Sequence, residues 1–423
     1  MSNVAIAAFV GLDWADQKHV ITVQEAGSDQ RQRFTLDQTP EALQNWIQLL
    51  RNRFAGRPVA MAVEQKRGAL IYALMHVDFL RLYPVNPQTL SQFRKAFYPS
   101  GAKDDPIDAD LLLEILMTHR QHLRVWVPDD VLTRSIQLLT EDRRCLVDER
   151  TALTNQLTAV LKMYFPQALN WFGDLHTARA CAFLQRWPSL QQLKRATVSS
   201  IRKFYKAQGY RGEDKREQLI ANITNAQPLT EDGAVLLAGT MKVHALVTQI
   251  PLLTEAIERY DQQIAALFDQ HDDSTLFSSF PGAGASLAPR LLAAFGSDRG
   301  RFEFAAEMQE LAGIAPVTEK SGTGIWIHWR LACSKFLRQT FQEFAGCSIL
   351  QSDWARAYYD QLRKRGKSHQ AVLRALAFKW IRIMFRCWKT RTPYDETVYC
   401  KSLKLRRSPL ADQLPADEKL ALT

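Results

Sequence analysis

Four carboxylates, Asp13, Glu64, Asp105 and Asp108, are the residues of this 423-residue chain whose types and spacing suit shared chemistry. Asp13 closes the apolar run VAIAAFVGL, and Glu64 lies near the end of a second run, VAMAVEQ. Asp105 and Asp108 are three residues apart, one turn of a helix. Hard divalent cations take oxygen ligands, and paired Mg2+ ions commonly stabilise the attacking and leaving oxygens of phosphodiester cleavage. A plainer reading stands beside this one. Asp13 and Glu64 also fit turn-forming acids at strand ends. Asp105-Pro106-Ile107-Asp108 is a good helix start, with Asp105 as N-cap, Pro106 first in the helix and Asp108 facing the positive end of the dipole.

Ser321 is a second candidate. It sits among small residues, Lys320-Ser321-Gly322-Thr323-Gly324, where glycines let a ligand approach the backbone and a hydroxyl can act as nucleophile. An ordinary Ser-Gly turn accounts for the same residues. A third signal is charge. Between Gln361 and Arg391 there are ten Lys or Arg and no Asp or Glu. Arg363, Lys364, Arg365 and Lys367 read as a basic loop. Lys379, Arg382, Arg386 and Lys389 line one face of a helix opposite Ala377, Ile381, Met384 and Trp388. A helix packed on a core with a cationic outer face suits phosphate binding.

The elements that must position these groups follow from patterning. Residues 4–13, HVITVQ and RQRFTLDQ read as three antiparallel strands. A helix follows from Thr39, capped by that residue with Pro40 in its first turn. Then come VAMAVEQ as strand, GALIYALMHVD as helix, RLYPVN as strand and PQTLSQFRKAF as helix. This is the order of an RNase H-like fold, in which the first and fourth strands are central neighbours and a last helix carries acids to the site. From Leu132 the pattern turns helical. Leu132, Leu139, Leu146, Leu153 and Val160 recur every seven residues, with Ile136 and Leu157 in companion positions interrupted by Arg143 and Arg150. Val243, Leu246, Ile250, Leu253, Ile257, Tyr260, Ile264 and Leu267 form a second seam, which Pro251 should bend or start. A hairpin within one chain and association between subunits both fit these seams. Phe280-Pro281-Gly282-Ala283-Gly284 reads as a helix-hairpin-helix-like turn whose backbone N–H groups suit DNA phosphates, or as a plain Gly-rich turn.

Composition bounds these readings. Apolar residues make up 46% and charged residues 23%, as in ordinary globular proteins, and the length suggests two or three domains. The excess of ten basic over acidic residues favours a polyanionic partner. The N-terminus reads as a first strand, not a signal peptide. No apolar run approaches the ~20 residues of a membrane-spanning helix, so no membrane partner is expected. Six scattered cysteines without a C-x-x-C pair suggest a reduced, cytoplasmic protein lacking structural zinc.

In order along the chain, FVGLDWADQKH, VEQ, AKDDPIDAD, FPGAGASLAPRLLAAFGS and LAGIAPVTEKSGTG resemble the DEDD transposases of insertion sequence family 110. These are bridge-RNA-guided serine recombinases related to Piv-type DNA invertases. The resemblance covers residues about 9–125 and 275–390. It implies a RuvC-like domain (1–125), a helical coiled-coil spacer and association region (126–274), a mainly helical C-terminal transposase domain (275–400) and a flexible tail (401–423). Asp13, Glu64, Asp105 and Asp108 would hold two Mg2+ ions, with Mn2+ as a possible substitute. Ser321 would become covalently joined to DNA. Donor and target DNA, a bridge non-coding RNA and a homo-oligomer (a dimer, or dimers forming a tetramer) would be the partners, with the protein on the nucleoid when DNA-bound. Where the family often reads Lys-Thr-Asp-Arg-Ile-Asp-Ala, this chain has Asp104 before Asp105, and the spacing to Asp108 favours Asp105. Two other functions fit the same residues. One is a RuvC-like junction-resolving nuclease that hydrolyses with water. The other is a non-catalytic, architectural nucleic-acid-binding protein.

Overall fold

An apolar run buried on both faces needs neighbours on both edges, and the first strand has them. In a computed structural model describing residues 5–64, 68–98, 105–209 and 212–414, β1 (Ala8–Asp13) is the central strand of a five-stranded mixed sheet. The sheet order is β3 (Arg31–Asp37), β2 (Lys18–Glu25), β1, β4 (Val59–Val63), β5 (Leu80–Pro84). The first three strands pair antiparallel, whereas β1–β4 and β4–β5 pair parallel. Two helices separate the later strands as the patterning predicts, α1 (Pro40–Arg53) and α2 (Ala69–Leu74), and α3 (Pro87–Phe97) follows the last. Thr39 caps α1 by accepting from the Ala42 N–H, with Pro40 at the first position. The expected neighbouring of the first and fourth strands is present.

Two layers cover the sheet. Val10, Leu12, Met61 and Val63 pack with Trp46 and Leu50 of α1 and with Phe54 just after it on one face. Ala60, Ala62 and Tyr83 on the other face pack with Leu111, Leu112, Ile115 and Leu116 of α4 (Asp105–His119). Gly11 is the contact point. A Cβ there would collide with the Ala109 carbonyl oxygen and lie 2.5 Å from the Leu113 nitrogen. Thr22, opposite Gly11, donates to Asp110 at 2.7 Å, and Arg120 lies over the Phe9 ring. So α4 runs antiparallel to β1, its first turn toward Asp13.

Residues 1–129 form one compact unit and residues 130–423 another. The second is built on two long helices, α5 (Val131–Tyr164) and α11 (Gly233–Asp269). Thr133 bonds His271, Arg143 bonds Asp261, Arg150 reaches Thr254, and Gly239 lies against Tyr164. Partners descend along α11 as positions rise along α5, so the pair is an antiparallel hairpin within one chain. The buried phase on α5 corrects the expected seam. Leu132, Leu139, Leu146, Leu153 and Val160 are half-buried, while Ile136, Leu157 and Tyr164 are fully buried. Arg143 and Arg150 occupy that buried phase and are matched by polar groups on α11. Pro251 neither starts nor ends α11 but lies inside it. This helix is also long and apolar enough to cross a membrane by length and composition alone, contrary to the expectation for the chain, because only Lys242 is charged among its first 22 residues. Its Val243, Leu246, Val247, Ile250, Ile257, Ile264 and Phe268 are buried within the protein.

Five short helices, α6 (Gln167–Trp171), α7 (Ala178–Arg186), α8 (Leu190–Lys194), α9 (Val198–Ala207) and α10 (Glu213–Asn225), join the long pair. They share with its distal end a core of Tyr164, Phe165, Phe183, Trp187, Phe204 and Tyr205. The proximal end belongs to a second core with α12 (Ser274–Ser278), α13 (Gly284–Phe295), α14 (Ala305–Leu311), α15 (Lys335–Ser348), α16 (Asp353–Lys364), α17 (His369–Thr390) and α18 (Glu396–Leu405). Trp354, Trp380 and Trp388 are fully buried there. Residues 401–414, expected as flexible tail, instead continue α18 and a short 3-10 turn, with Leu403 and Leu410 buried. Two strands, β6 (Val317–Ser321) and β7 (Gly324–His328), form a separate antiparallel ribbon.

Candidate catalytic residues

Side-chain alternation along strands decides where the first two acids stand. Asp13 shares parity with Gly11, and Glu64 follows Ala60 and Ala62; both therefore belong to the sheet face that α4 covers. Leu12 pairs with Val63 on parallel strands, so Asp13 and Glu64 leave the same end of adjacent strands. The antiparallel course of α4 returns Asp105 and Asp108 to that end. Asp13 is 7% exposed, Asp108 is 1% exposed, Glu64 is half-buried and Asp105 is exposed. All four acids thus occupy one end of one face.

They are not assembled into a coordination shell. Among the described residues, no three His, Cys, Asp or Glu side chains are grouped closely enough to hold a metal ion. Both Asp108 oxygens are engaged by Arg94 of α3, Nε donating to Oδ1 at 2.6 Å and Nη2 to Oδ2 at 2.5 Å. This bidentate contact satisfies the buried charge. Carboxylates are the donors a hard divalent cation takes, and Asp108 would meet such an ion with both of its oxygens already engaged by Arg94. Asp104, the competing acid, lies outside the described residues.

Ser321 ends β6 and pairs with Gly324 across a two-residue turn, where Gly322 has φ +56°. The small-residue loop expected there is a β-hairpin, and the signal was present: two short runs separated by Gly322-Thr323. The Ser321 side chain is exposed at the ribbon tip. His328, the nearest histidine in sequence, pairs with Val317 at the opposite end. A strand rise of about 3.4 Å per residue separates foot from tip by roughly 14 Å. His328 instead bonds Glu319 at 2.8 Å, and that hydrogen bond raises its pKa.

The basic face is partly engaged. Arg382, Arg386 and Lys389 are exposed, with Lys389 donating to the Arg299 carbonyl. Lys379 is half-buried with its Nζ 4.2 Å from the Tyr358 ring centroid, and burial lowers its pKa, followed by the like charge of Arg382. Arg363 and Lys364 end α16, while Arg365, Gly366 and Lys367 form its exposed C-terminal turn rather than a free loop. Gly282, expected in a helix-hairpin-helix-like turn, has φ +83° and packs on backbone instead: a Cβ would lie 2.8–2.9 Å from Cys347 and Ser348 main-chain atoms. The helix before it, α12, has five residues, too short for a full helix-hairpin-helix. Sequence reasoning missed Arg94, which carries no local signal, and Gly11, whose place inside a strand run was one.

Comparison with known proteins bears on these residues at both ends of the chain. A DEDD-type transposase model for IS110 matches residues 10–166, spanning all four acids. A second, described as "Transposase IS116/IS110/IS902 family", matches residues 274–360, spanning Ser321. The "Mini-circle putative transposase for IS117" of Streptomyces coelicolor is 26% identical over 399 residues, covering 93% of this chain and 96% of that protein. The "Insertion element IS110 uncharacterized 43.6 kDa protein" of the same species is 27% identical over 70% of this chain and 73% of its own length. The "Insertion element IS900 uncharacterized 42 kDa protein" of Mycobacterium paratuberculosis is 26% identical over 80% and 85%.

Proposed function

Because the chain belongs to the IS110-family transposases, we propose that it cuts and rejoins donor and target DNA through a covalent phosphoserine at Ser321, directed by a bridge RNA. The observation that carries this reading is the placement of Asp13, Glu64, Asp105 and Asp108 at one end of one sheet face, while Ser321 stands exposed on a separate ribbon. The strand order β3-β2-β1-β4-β5, with β1 and β4 parallel, supports an RNase H-like, RuvC-like assignment for residues 1–125.

In this mechanism Ser321 Oγ attacks a phosphorus atom, the Oγ–P bond forms, and the bond to the 3′-oxygen breaks. The phosphoserine conserves the bond, and attack by a 3′-hydroxyl of the other strand releases the serine. Asp13, Glu64, Asp105 and Asp108 would hold two Mg2+ ions, with Mn2+ as a substitute. Bound divalent ions supply charge neutralisation for the attacking and leaving oxygens. Arg94 keeps the buried Asp108 charge satisfied. The exposed cations Arg363, Lys364, Arg365, Lys367, Arg382, Arg386 and Lys389 follow nucleic-acid backbone, and base pairing to the RNA selects sequence. A homo-oligomer brings the acids of one subunit to the serine of another.

The test is a recombination assay with purified protein, Mg2+, donor and target DNA, and RNA transcribed from the element's non-coding ends. Denaturing gels should show an RNA-dependent protein–DNA adduct that Ser321→Ala abolishes. Cleavage without adduct, unchanged in Ser321→Ala, would leave a water-using metal nuclease and end the serine assignment.

A further inference from the structure

At the foot of the β6–β7 ribbon, two arginines share one aromatic ring and no acid. Trp329 follows β7 directly. The Arg374 guanidinium, from α17, lies over its ring, and the Arg338 guanidinium, from α15, is 5.9 Å from the ring centroid. Arg338 is held by the Arg330 carbonyl and by Cys333 Sγ at 2.6 Å. The LAGIAP segment makes room for it. Gly313 has φ +62°, and a Cβ there would collide with Cys333 Sγ and lie 2.8 Å from Arg338 Nη2. Only glycine lets the guanidinium in.

The arrangement is costly in charge. Among the described residues neither Arg338 nor Arg374 pairs with a carboxylate, and the Nε atoms of both are buried without a hydrogen-bond partner. Burial, then the like charge of Arg338, lowers the Arg374 pKa to about 10. Glu310 approaches the neighbouring Arg330, at 3.8 Å. Two crowded guanidinium groups with no carboxylate beside them match a phosphate, whose charge cancels the repulsion.

The ribbon identifies the phosphate's owner. Between this pair and Ser321, Ile325, Trp326 and Ile327 are 59%, 59% and 69% exposed. A nucleic-acid strand offers base faces for such groups and phosphates for arginines. We propose that Arg338 and Arg374 together bind one backbone phosphate of the DNA strand that Ser321 attacks. The inference rests on the recombinase reading above. Phosphates of one strand wind around the axis as it rises ~3.4 Å per nucleotide, so the roughly 14 Å between ribbon foot and tip places that phosphate about two nucleotides from the attacked one.

The test uses full-length protein carrying Ser321→Ala, so that no chemistry intervenes, with the RNA and fluorescent donor DNA. Anisotropy titrations across salt should show Arg374→Gln weakening binding about tenfold, with the slope of log K against log salt shallower by about 0.9. Arg374→Lys, which keeps the charge but loses the stacked plane, should keep most of that slope. Neutral methylphosphonates placed singly along the strand should weaken the parent most at about two nucleotides from the cleavage position, and that loss should shrink in Arg374→Gln. An unchanged slope in a folded Arg374→Gln protein would overturn the site. So would equal losses in Arg374→Lys and Arg374→Gln accompanied by lower melting temperatures, which means packing alone. A slope change with RNA alone but not with DNA would overturn the DNA assignment. Adduct formation in protein retaining Ser321 reads the recombinase proposal separately: adduct with an unaltered slope removes only the arginine site.

Discussion

His328 and Glu319 meet diagonally across the ribbon, and the carboxylate raises the imidazole pKa above its ordinary 6.5, chiefly by hydrogen bonding. The sign of the consequence follows from linkage. A raised folded pKa means the pair's contribution is fully present below the unfolded pKa and is lost as pH rises through the folded one. The ribbon should therefore be held more firmly at mildly acidic pH than at alkaline pH. Ring resonances followed by NMR should show His328 titrating above 6.5 in the parent and back near it in Glu319→Gln; identical curves would remove the pair from consideration. At the same scale, Asp13 and Glu64 were legible because each ends an apolar run. Arg94 was not, because a guanidinium on one amphipathic helix gives no sign of which carboxylate, 14 residues away, it will meet.

Among the elements, the α5–α11 hairpin shows most sharply where patterning stops. Heptad spacing predicted two long helices with apolar seams, and both exist. Which phase is buried depended on the partner: Arg143 and Arg150 face α11 because Asp261 and Thr254 are there to meet them. Gly239 tests the packing at the distal end. Alanine there gains about 1 kcal/mol of helix propensity, but its Cβ would lie 2.5 Å from the Tyr164 ring. That ring cannot move aside easily, being fully buried with its hydroxyl donating to the Pro188 carbonyl at 2.6 Å. Overpacking of this kind costs about 1–3 kcal/mol, so the clash should win. Gly239→Ala should unfold at lower denaturant concentration than the parent with an unchanged m-value; a rise in the midpoint would mean that Tyr164 relaxes freely.

For the whole molecule, the sheet unit (residues 1–129) and the helical unit (residues 130–423) each have their own buried clusters. A unit of this size with both sheet faces covered is large enough to fold alone. Expressed by itself, the 1–129 segment should give a dispersed amide spectrum and a cooperative melt. A molten or aggregated fragment beside a well-folded full chain would show that the second unit is needed to form the first.

Alternation of period two and the order of strands and helices settled, from sequence, the element types of the sheet unit, the central pairing of β1 with β4, and the end of the sheet at which Asp13 and Glu64 emerge. These follow from local sterics and from burial of apolar faces, which a linear pattern encodes. Only the tertiary structure decided that α4 runs back along β1 through the gap left by Gly11, that Arg94 holds Asp108, and that Ser321 rides a ribbon whose foot holds Arg338 and Arg374. Those outcomes depend on which surfaces meet. Close backbone approach and charge pairing across long separations are properties of two segments at once, and neither segment carries them alone.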